Sequence, residues 1–283
     1  MNYREAAIHF SCAGEELLGI VALPEKASET GIVIVVGGPQ YRVGSHRQFT
    51  LLSRALATAG YPCLRFDHRG MGDSAGTSHS FEDINDEIAA AIDTLLAQSP
   101  ALKRVVLWGL FDAASAILIY CHATQDQRVA GLALLNPWVR SESTLARTQV
   151  KHYYGQRLIS ADFWAKLFKG QLELGKAMRG LQNNVKLAKR GAEAPHQGAL
   201  SFRQIMPQAL RKFDGRILLI LSGKDLVAKE FLDCAATDSS WSGILEQSTL
   251  RRCDIATADH TFSSTAWRQQ VEQQTLEWLG AMK

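Results

Sequence analysis

The sequence predicts a doubly wound α/β fold, a mostly parallel sheet with helices on both faces, and three observations support this fold class. Short apolar runs rich in β-branched residues alternate along the chain with longer segments whose apolar residues recur at helical spacing. The runs stop at glycine, proline or aspartate, as buried parallel strands do when they enter turns. The first thirty residues break the alternation, because two apolar runs flank the turn-like Ala13-Gly14-Glu15 and predict an antiparallel hairpin.

The elements follow in a regular order after the hairpin. Residues 31–36 are a β-branched run that predicts a buried strand, and residues 45–60 predict a helix with Gly60 as its stop signal. Residues 62–67 predict a strand, and residues 80–98 predict an amphipathic helix that opens with a capping pattern. The remaining predicted strands are 104–109, 129–137, 216–223 and 250–257, and the remaining predicted helices are 112–124, 227–236 and 264–282.

Residues 138–212 have a different character, with no convincing strand and several helical stretches. They carry fourteen Lys and Arg against four Asp and Glu, in a chain whose net charge is only +3. We therefore predict an α/β core formed by residues 1–137 and 207–283, and a basic helical cap (a lid) formed by residues 138–206. The basic face is either simply solvated or directed at an anionic substrate, lipid head group or partner, and the sequence leaves both interpretations open.

Composition excludes several classes of protein. With 46% hydrophobic and 21% charged residues the chain is typical of globular proteins, and its charge is too small to predict nucleic-acid binding. No export signal or membrane span is visible, and the five scattered cysteines fit neither a disulfide framework nor a zinc site. We expect a cytoplasmic protein without a cofactor or metal, and its oligomeric state is left open.

The stretch VVLWGLFDAASAIL, residues 105–118, resembles a nucleophile elbow that lacks its nucleophile. A strand, a tight turn and a helix follow one another, as in the G-x-S-x-G motif. Aligning that motif with Gly109 to Ala113 puts Phe111 at the nucleophile position. A phenyl side chain has no proton to lose and no lone pair with which to attack. Backbone strain at residue 111 serves no purpose if no nucleophile is held there. We therefore expect this turn to relax towards ordinary geometry.

Asp112, Ser115 and Cys121 are the other candidate nucleophiles near this turn. Taking Asp112 as an aspartate nucleophile requires a shift by one residue, which puts Leu110 where a glycine is needed. Ser115 lies one helical turn beyond Phe111, and Cys121 is farther still. The sequence therefore predicts that the chain lacks a covalent step, and keeps nucleophilic attack by Asp112 as an alternative.

Four segments in register resemble the α/β-hydrolase superfamily over essentially the whole chain. They are VVGGPQYRVGSHRQF after the first buried strand, LRFDHRGMGDSAG, LLILSGKDLV and CDIATADHTFS. The resemblance implies that Asp225 is the acid and His260 the base of a catalytic triad with Phe111 at the nucleophile position. It also implies an oxyanion hole built from backbone N–H groups, for which we choose Asp112 and, because Pro39 has no N–H, Gln40.

The segments GGPQYRVGSHRQF and WGLFDAAS further resemble the exosortase A system-associated hydrolases, which accompany bacterial export and exopolysaccharide machinery. Members of that branch usually carry Cys where this chain has Phe111. The resemblance implies acyl hydrolysis or transfer on an ester or thioester, and the missing nucleophile implies an inactive enzyme. The alternative is a non-catalytic protein that binds a small-molecule, acyl or glycan-linked ligand, for which an anionic group would suit the basic cap. Such a protein could instead bind a partner of the export system.

Overall fold

The computed structural model describes residues 2–38, 40–139 and 200–282. Within these ranges eight strands form one sheet in the order β1-β2-β4-β3-β5-β6-β7-β8. The strands are β1 (Tyr3–Cys12), β2 (Glu15–Pro24), β3 (Thr30–Val35), β4 (Cys63–Phe66), β5 (Arg104–Leu110), β6 (Val129–Leu135), β7 (Arg216–Ser222) and β8 (Leu250–Ile255). The β1–β2 and β2–β4 pairs are antiparallel, and all the other pairs are parallel.

Six α-helices accompany the sheet in the described ranges. They are α1 (Gln48–Thr58), α2 (Asn85–Gln98), α3 (Asp112–Thr124), α4 (Phe202–Lys212), α5 (Leu226–Thr237) and α6 (Thr265–Gly280). None of these described helices is both long and apolar enough to cross a membrane. The predicted strands and helices are confirmed with boundaries shifted by a few residues. The first two predicted helices each begin with a short 3-10 turn, Ser45–Arg47 before α1 and Phe81–Asp83 before α2.

Side-chain alternation along the central strands explains why helices cover both faces of the sheet. In β3, Val33 and Val35 belong to one apolar cluster and Ile32 and Ile34 to another, and all four are fully buried. The first cluster includes residues of α2, α3, α4 and α5, and the second includes residues of α1 and α6. A strand buried on both faces needs apolar residues at every position, which is what the run contains. The predicted doubly wound sheet is therefore confirmed.

The amino-terminal hairpin is also confirmed. The β1–β2 register runs from Tyr3 opposite Pro24 to Cys12 opposite Glu15, which leaves a two-residue connection. Ala13 and Gly14 in that connection both have positive φ, 50° and 85°. Two central residues at positive φ are the mark of the tight hairpin turns whose twist matches that of paired strands.

The predicted cap, residues 138–206, lies almost wholly outside the described residues. Its predicted carboxyl-terminal boundary falls within α4, which runs from Phe202 to Lys212 and packs against α3. Ser201 and Gln204 form a capping box at the start of that helix. The described residues of α4, including Met206, therefore pack as part of the core.

A buried carboxylate joins the loops that follow β3 and β4. Asp67 is fully buried and accepts hydrogen bonds from the N–H of Arg42 at 2.6 Å and of Asp73 at 3.1 Å, and it also pairs with the Arg42 guanidinium. Gly72 has φ 54°, and a Cβ there would lie 2.2 Å from Asp67 Oδ2, so only glycine fits. The Ser74 hydroxyl donates to the Asp67 carbonyl at 2.6 Å. The D-x-R-G-x-G-x-S segment therefore holds two loops at the carboxyl edge of the sheet.

This arrangement predicts unequal costs for removing the two carboxylates that pair with Arg42. Asp67→Ala should lower the free energy of unfolding by about 3–5 kcal/mol. It removes the buried one of the two carboxylates that pair with the mostly buried Arg42 guanidinium, and it leaves two backbone N–H groups without their acceptor. Asp73→Ala should cost less than about 1 kcal/mol, because the Asp73 side chain is 63% exposed. Urea denaturation of the two variants and the native chain measures the difference, and equal costs would contradict the structural role given to Asp67.

Candidate active site at the β5–α3 elbow

The turn between β5 and α3 is a tight elbow with Phe111 at its apex. Phe111 has φ 67° and ψ −125°, and the helix begins at the next residue. Gly109 is required below the apex, because a Cβ there would lie 2.7 Å from Ile117 Cδ1 and 2.9 Å from the Ala113 carbonyl carbon. The expectation that the turn relaxes to ordinary geometry is wrong: the positive φ of Phe111 is retained.

Hydrogen bonds on both sides of Phe111 explain why the turn keeps this geometry. Its N–H donates to the carbonyl of Leu135 at 2.8 Å, and its carbonyl accepts from the N–H groups of Ala114 and Trp138, each at 3.2 Å. Such a backbone conformation costs roughly 1–3 kcal/mol for a residue with a side chain. Straightening the turn would break bonds to both β6 and α3, so the surrounding fold holds the strained residue in place.

The Phe111 ring occupies the space between the apex and the histidine loop. Its centroid lies 4.8 Å from that of His260 at an interplanar angle of 87°, and 4.5 Å from that of Trp138 at 65°. Edge-to-face aromatic pairs of this kind contribute about 0.5–1.5 kcal/mol each beyond the area they bury. Ser115, one of the residues weighed as a nucleophile, instead donates to the Trp138 carbonyl at 2.7 Å. The aromatic contacts therefore offset part of the strain at the apex.

Asp225 and His260 meet as the sequence predicts. Asp225 Oδ2 lies 2.9 Å from His260 Nδ1, and the aspartate is only 5% exposed. Asp225 is the N-cap of α5, where its carboxylate accepts from the N–H groups of Val227 at 3.0 Å and Ala228 at 3.3 Å. The helix start after β7 thus fixes the carboxylate, which in turn orients the imidazole towards the apex.

The two other carboxylates near the histidine loop are engaged elsewhere. Asp254 pairs with Arg252 at 2.9 Å on the exposed side of β8. Asp259 accepts from the N–H of Ser263 at 3.0 Å and from its hydroxyl, which stabilises the turn after His260. Neither carboxylate forms a hydrogen bond with the imidazole, which leaves Asp225 as its partner among the described residues.

Asn136 is a site residue that the sequence reasoning missed. It is fully buried at the end of β6, and its side chain donates to Ser222 Oγ at 2.8 Å and to the His260 carbonyl at 3.1 Å. Its side-chain oxygen accepts from the Ser222 N–H at 2.9 Å. One buried amide therefore ties the end of β7 to the loop that carries the histidine. The available signal was an asparagine that directly follows an apolar strand in the segment LLNP.

The loop after β3 lies against the start of α3 through Gly37 and Gly38. A Cβ on Gly37 would lie 2.0 Å from Asp112 Oδ1, and one on Gly38 would lie 3.9 Å from Phe111 Cδ1. The Gly38 N–H donates to Asp112 Oδ2 at 2.9 Å. Gln40, chosen from the sequence as an oxyanion donor, accepts a bond from the Ser45 N–H at 3.1 Å with its side chain. The loop N–H that reaches the start of α3 is thus that of Gly38, two positions before Gln40.

The Asp112 carboxylate is partly buried. Burial raises the pKa of Asp112 above its ordinary value, and the N–H groups of Gly38, Ala113 and Asp112 itself, together with His260, act in the opposite direction. Within the described residues Oδ1 is buried and has no hydrogen-bond partner. The ionised form of this carboxylate is therefore less favourable in the folded chain than in the unfolded chain.

None of the five cysteine thiols is activated as a nucleophile. Burial raises the pKa of the thiols of both Cys63 and Cys121 to about 12, and it also raises the pKa of Cys12, Cys234 and Cys253. Among the residues that the structure describes, no cluster of His, Cys, Asp and Glu is arranged to hold a metal ion.

The raised pKa of Asp112 predicts a pH-dependent gain in stability for Asp112→Asn. The variant keeps an acceptor for the Gly38 N–H but removes the charge, so it should be more stable than the native chain at pH 7. The gain should shrink as the pH falls through the raised pKa towards the ordinary Asp value of about 3.9, because the native carboxyl then also becomes neutral. Urea denaturation between pH 8 and pH 4 measures it, with Asp254→Asn as the control for losing an exposed carboxylate. A pH-independent difference would show that the Asp112 charge is not destabilising.

Comparisons with known proteins agree with this architecture. The model of the family described as serine aminopeptidase, S33, matches residues 28–230. A Pyrococcus furiosus esterase superposes with a TM-score of 0.66 at 14% identity, covering 99% of this chain and 92% of the other. Dienelactone hydrolase from Anabaena variabilis gives 0.62 at 18% identity and covers 100% and 99% of the two chains. Est1E from Butyrivibrio proteoclasticus, determined with ferulic acid bound, gives 0.62 at 13% and covers 98% of both.

At these identities the structural neighbours show the fold alone, and no curated protein resembles the chain closely enough in sequence to count as a relative. The family model, in contrast, spans more than half of the chain and includes the elbow and Asp225. The chain therefore belongs to the serine aminopeptidase S33 family of the α/β-hydrolase superfamily.

Proposed function

We propose that this protein carries an acyl-hydrolase site without its nucleophile, and that it binds an acyl ligand there without hydrolysing it. The observation that carries the proposal is the Phe111 ring, which stands at the strained apex 4.8 Å from His260. A nucleophile at that apex is the group from which the histidine of a triad removes a proton. In this chain the base and its acid partner face a phenyl ring instead.

The remaining groups define which steps the site can and cannot perform. Asp225 orients His260 through the 2.9 Å hydrogen bond, and the imidazole then serves as a base for any acidic proton at the apex. We assign the oxyanion-donor positions of the site to the N–H of Asp112 and to one N–H of the loop after β3. The hydrogen bond between Gly38 and Asp112 favours Gly38, and the sequence pattern favours Gln40. Phe111 supplies neither a proton nor an electron pair, so no covalent intermediate forms.

The ligand class follows from the walls of the site and from the family. Phe111, Trp138 and His260 form an aromatic wall that suits the apolar part of a small acyl compound. The neighbours described as esterase and dienelactone hydrolase, and the one with ferulic acid bound, support ester-like or carboxylate-bearing compounds. We propose that the cap predicted at residues 138–206, apart from the residues of α4 that pack in the core, forms the lid over this site. Its basic side chains would then select a ligand with an anionic group.

Two other functions have specific support. The segments GGPQYRVGSHRQF and WGLFDAAS favour the exosortase A system-associated branch, in which the protein would act in the cytoplasm as a binding partner of export or exopolysaccharide machinery. Nucleophilic attack by Asp112 has weaker support. Its carboxylate lies in the first turn of α3 and accepts from Gly38, whereas a nucleophile belongs at the apex.

The proposal predicts the behaviour of the native chain and of a variant with a nucleophile at the apex. The native chain should hydrolyse p-nitrophenyl acetate no faster than His260→Ala, because no step remains for the base to assist. Phe111→Cys should react with iodoacetamide about 10-fold faster at pH 7 than Phe111→Cys combined with His260→Ala. The imidazole removes the thiol proton, whereas a free thiol is only a few per cent ionised at this pH. Mass spectrometry measures the alkylation at residue 111.

The native chain is the control for alkylation, because burial raises the pKa of all five of its own thiols. Ester hydrolysis by the native chain that depends on His260 would contradict the missing covalent step. Alkylation of Phe111→Cys at the same rate with and without His260 would show that the apex and the base are not aligned. Hydrolysis that is lost in Asp112→Asn but unchanged in Phe111→Ala would make Asp112 the nucleophile.

A further inference from the structure

We infer that Asp112 is a second and independent block on acyl chemistry, because its carboxylate occupies the position at the elbow that a substrate oxyanion needs. This inference rests on the proposed function, since it assumes that the elbow is the acyl site. It predicts that restoring a nucleophile at residue 111 restores the attack of that group but leaves acyl transfer slow until the Asp112 carboxylate is also removed.

Two backbone donors lie next to the apex. An oxyanion hole at an elbow uses the N–H of the residue after the nucleophile position and an N–H from the loop after β3. Here we take those groups to be the N–H of Asp112 and that of Gly38, the loop residue that is hydrogen-bonded to the first residue of α3. The Gly38 N–H is already bound to Asp112 Oδ2 at 2.9 Å, so the chain supplies its own anion to this donor.

The neighbouring atoms keep the carboxylate in that position. A Cβ on Gly37 would lie only 2.0 Å from Asp112 Oδ1, so the loop backbone lies directly on the carboxylate. Rotation of the Asp112 side chain would break its hydrogen bond with Gly38. It would also move the carboxylate away from the N-terminal end of α3, where a negative charge is favoured. The carboxylate is therefore a resident anion that an incoming oxyanion has to displace.

The negative charge of the Asp112 carboxylate opposes a substrate oxyanion, in addition to its occupation of that position. A carbonyl oxygen becomes negatively charged when its carbon is attacked, and in this site it would approach an existing carboxylate. Asp112 is partly buried, and its Oδ1 is fully buried. This burial raises the pKa of Asp112, and water screens its charge less than it would at an exposed position. Loss of one oxyanion donor lowers the rate of acyl chemistry by roughly 100- to 1000-fold in a well-studied hydrolase. A donor that is already hydrogen-bonded to a carboxylate is likewise not free to stabilise the oxyanion.

Two reactions of Phe111→Cys separate this inference from the proposed function. Alkylation by iodoacetamide displaces iodide at a saturated carbon and forms no oxyanion, so it reports only the thiol and His260. Acylation by p-nitrophenyl acetate forms a C–S bond, breaks the C–O bond, releases p-nitrophenolate and transfers the thiol proton to His260. That reaction passes through a tetrahedral oxyanion and so also requires free donors.

The experiment measures the p-nitrophenolate burst in three chains: Phe111→Cys alone, with Asp112→Ala, and with Asp254→Ala as the matched control. Asp254 is an exposed carboxylate on β8 that pairs with Arg252. Asp112→Ala should accelerate acylation about 100-fold, the lower end of the donor effect, while alkylation changes less than about 3-fold. Asp254→Ala should change neither rate.

Acylation that is equally fast with and without Asp112→Ala would overturn the inference and would favour another donor, such as the Gln40 N–H. If alkylation of Phe111→Cys does not depend on His260, the proposed function has failed instead. If Phe111→Cys combined with Asp112→Ala does not fold, the amide proton resonance of Gly38 in the native chain tests whether Asp112 occupies this donor. This resonance should titrate with the Asp112 carboxyl and lose that titration in Asp112→Asn. A Gly38 resonance that does not titrate would overturn the inference.

Discussion

The backbone of Phe111, held at φ 67° between the end of β5 and the start of α3, is the constraint on which the rest of the site depends. This geometry directs residue 111 out of the sheet towards His260 and places the first turn of α3 against the loop after β3. A strained apex is usually associated with a nucleophile. Here the same geometry is retained around a phenyl ring, because bonds to Leu135, Ala114 and Trp138 hold both peptide groups.

Buried polar groups keep the loops around the apex in one arrangement. Asp67 joins the loops after β3 and β4, Asn136 joins β7 to the histidine loop, and Asp225 joins the start of α5 to the imidazole. Each of these side chains is at most 5% exposed, so each bond forms in a medium where leaving a partner unpaired is expensive. The apex, the imidazole and its carboxylate partner are therefore held in one arrangement.

The sequence predicted those features whose signals are local. Alternating apolar runs located the strands and helices. The segments LLILSGKDLV and CDIATADHTFS, through their family resemblance, predicted that Asp225 and His260 meet. The bonds of Asp112 to Gly38 and of Asn136 to His260 join residues 74 and 124 positions apart, and no local pattern reports them. The prediction that the elbow relaxes was wrong because it considered the strain of one residue without the tertiary bonds that hold it.

The central claim is that a phenyl ring occupies the space where a nucleophile would meet the histidine. The measurement that tests it most directly is a crystal structure of the native chain with electron density resolved at residue 111 and around His260. We expect φ near 67° at Phe111, its ring edge-to-face with the imidazole at about the 4.8 Å separation found here, and no water between them. A negative φ, with the ring turned into the core and a water bonded to the imidazole in its place, would contradict the account.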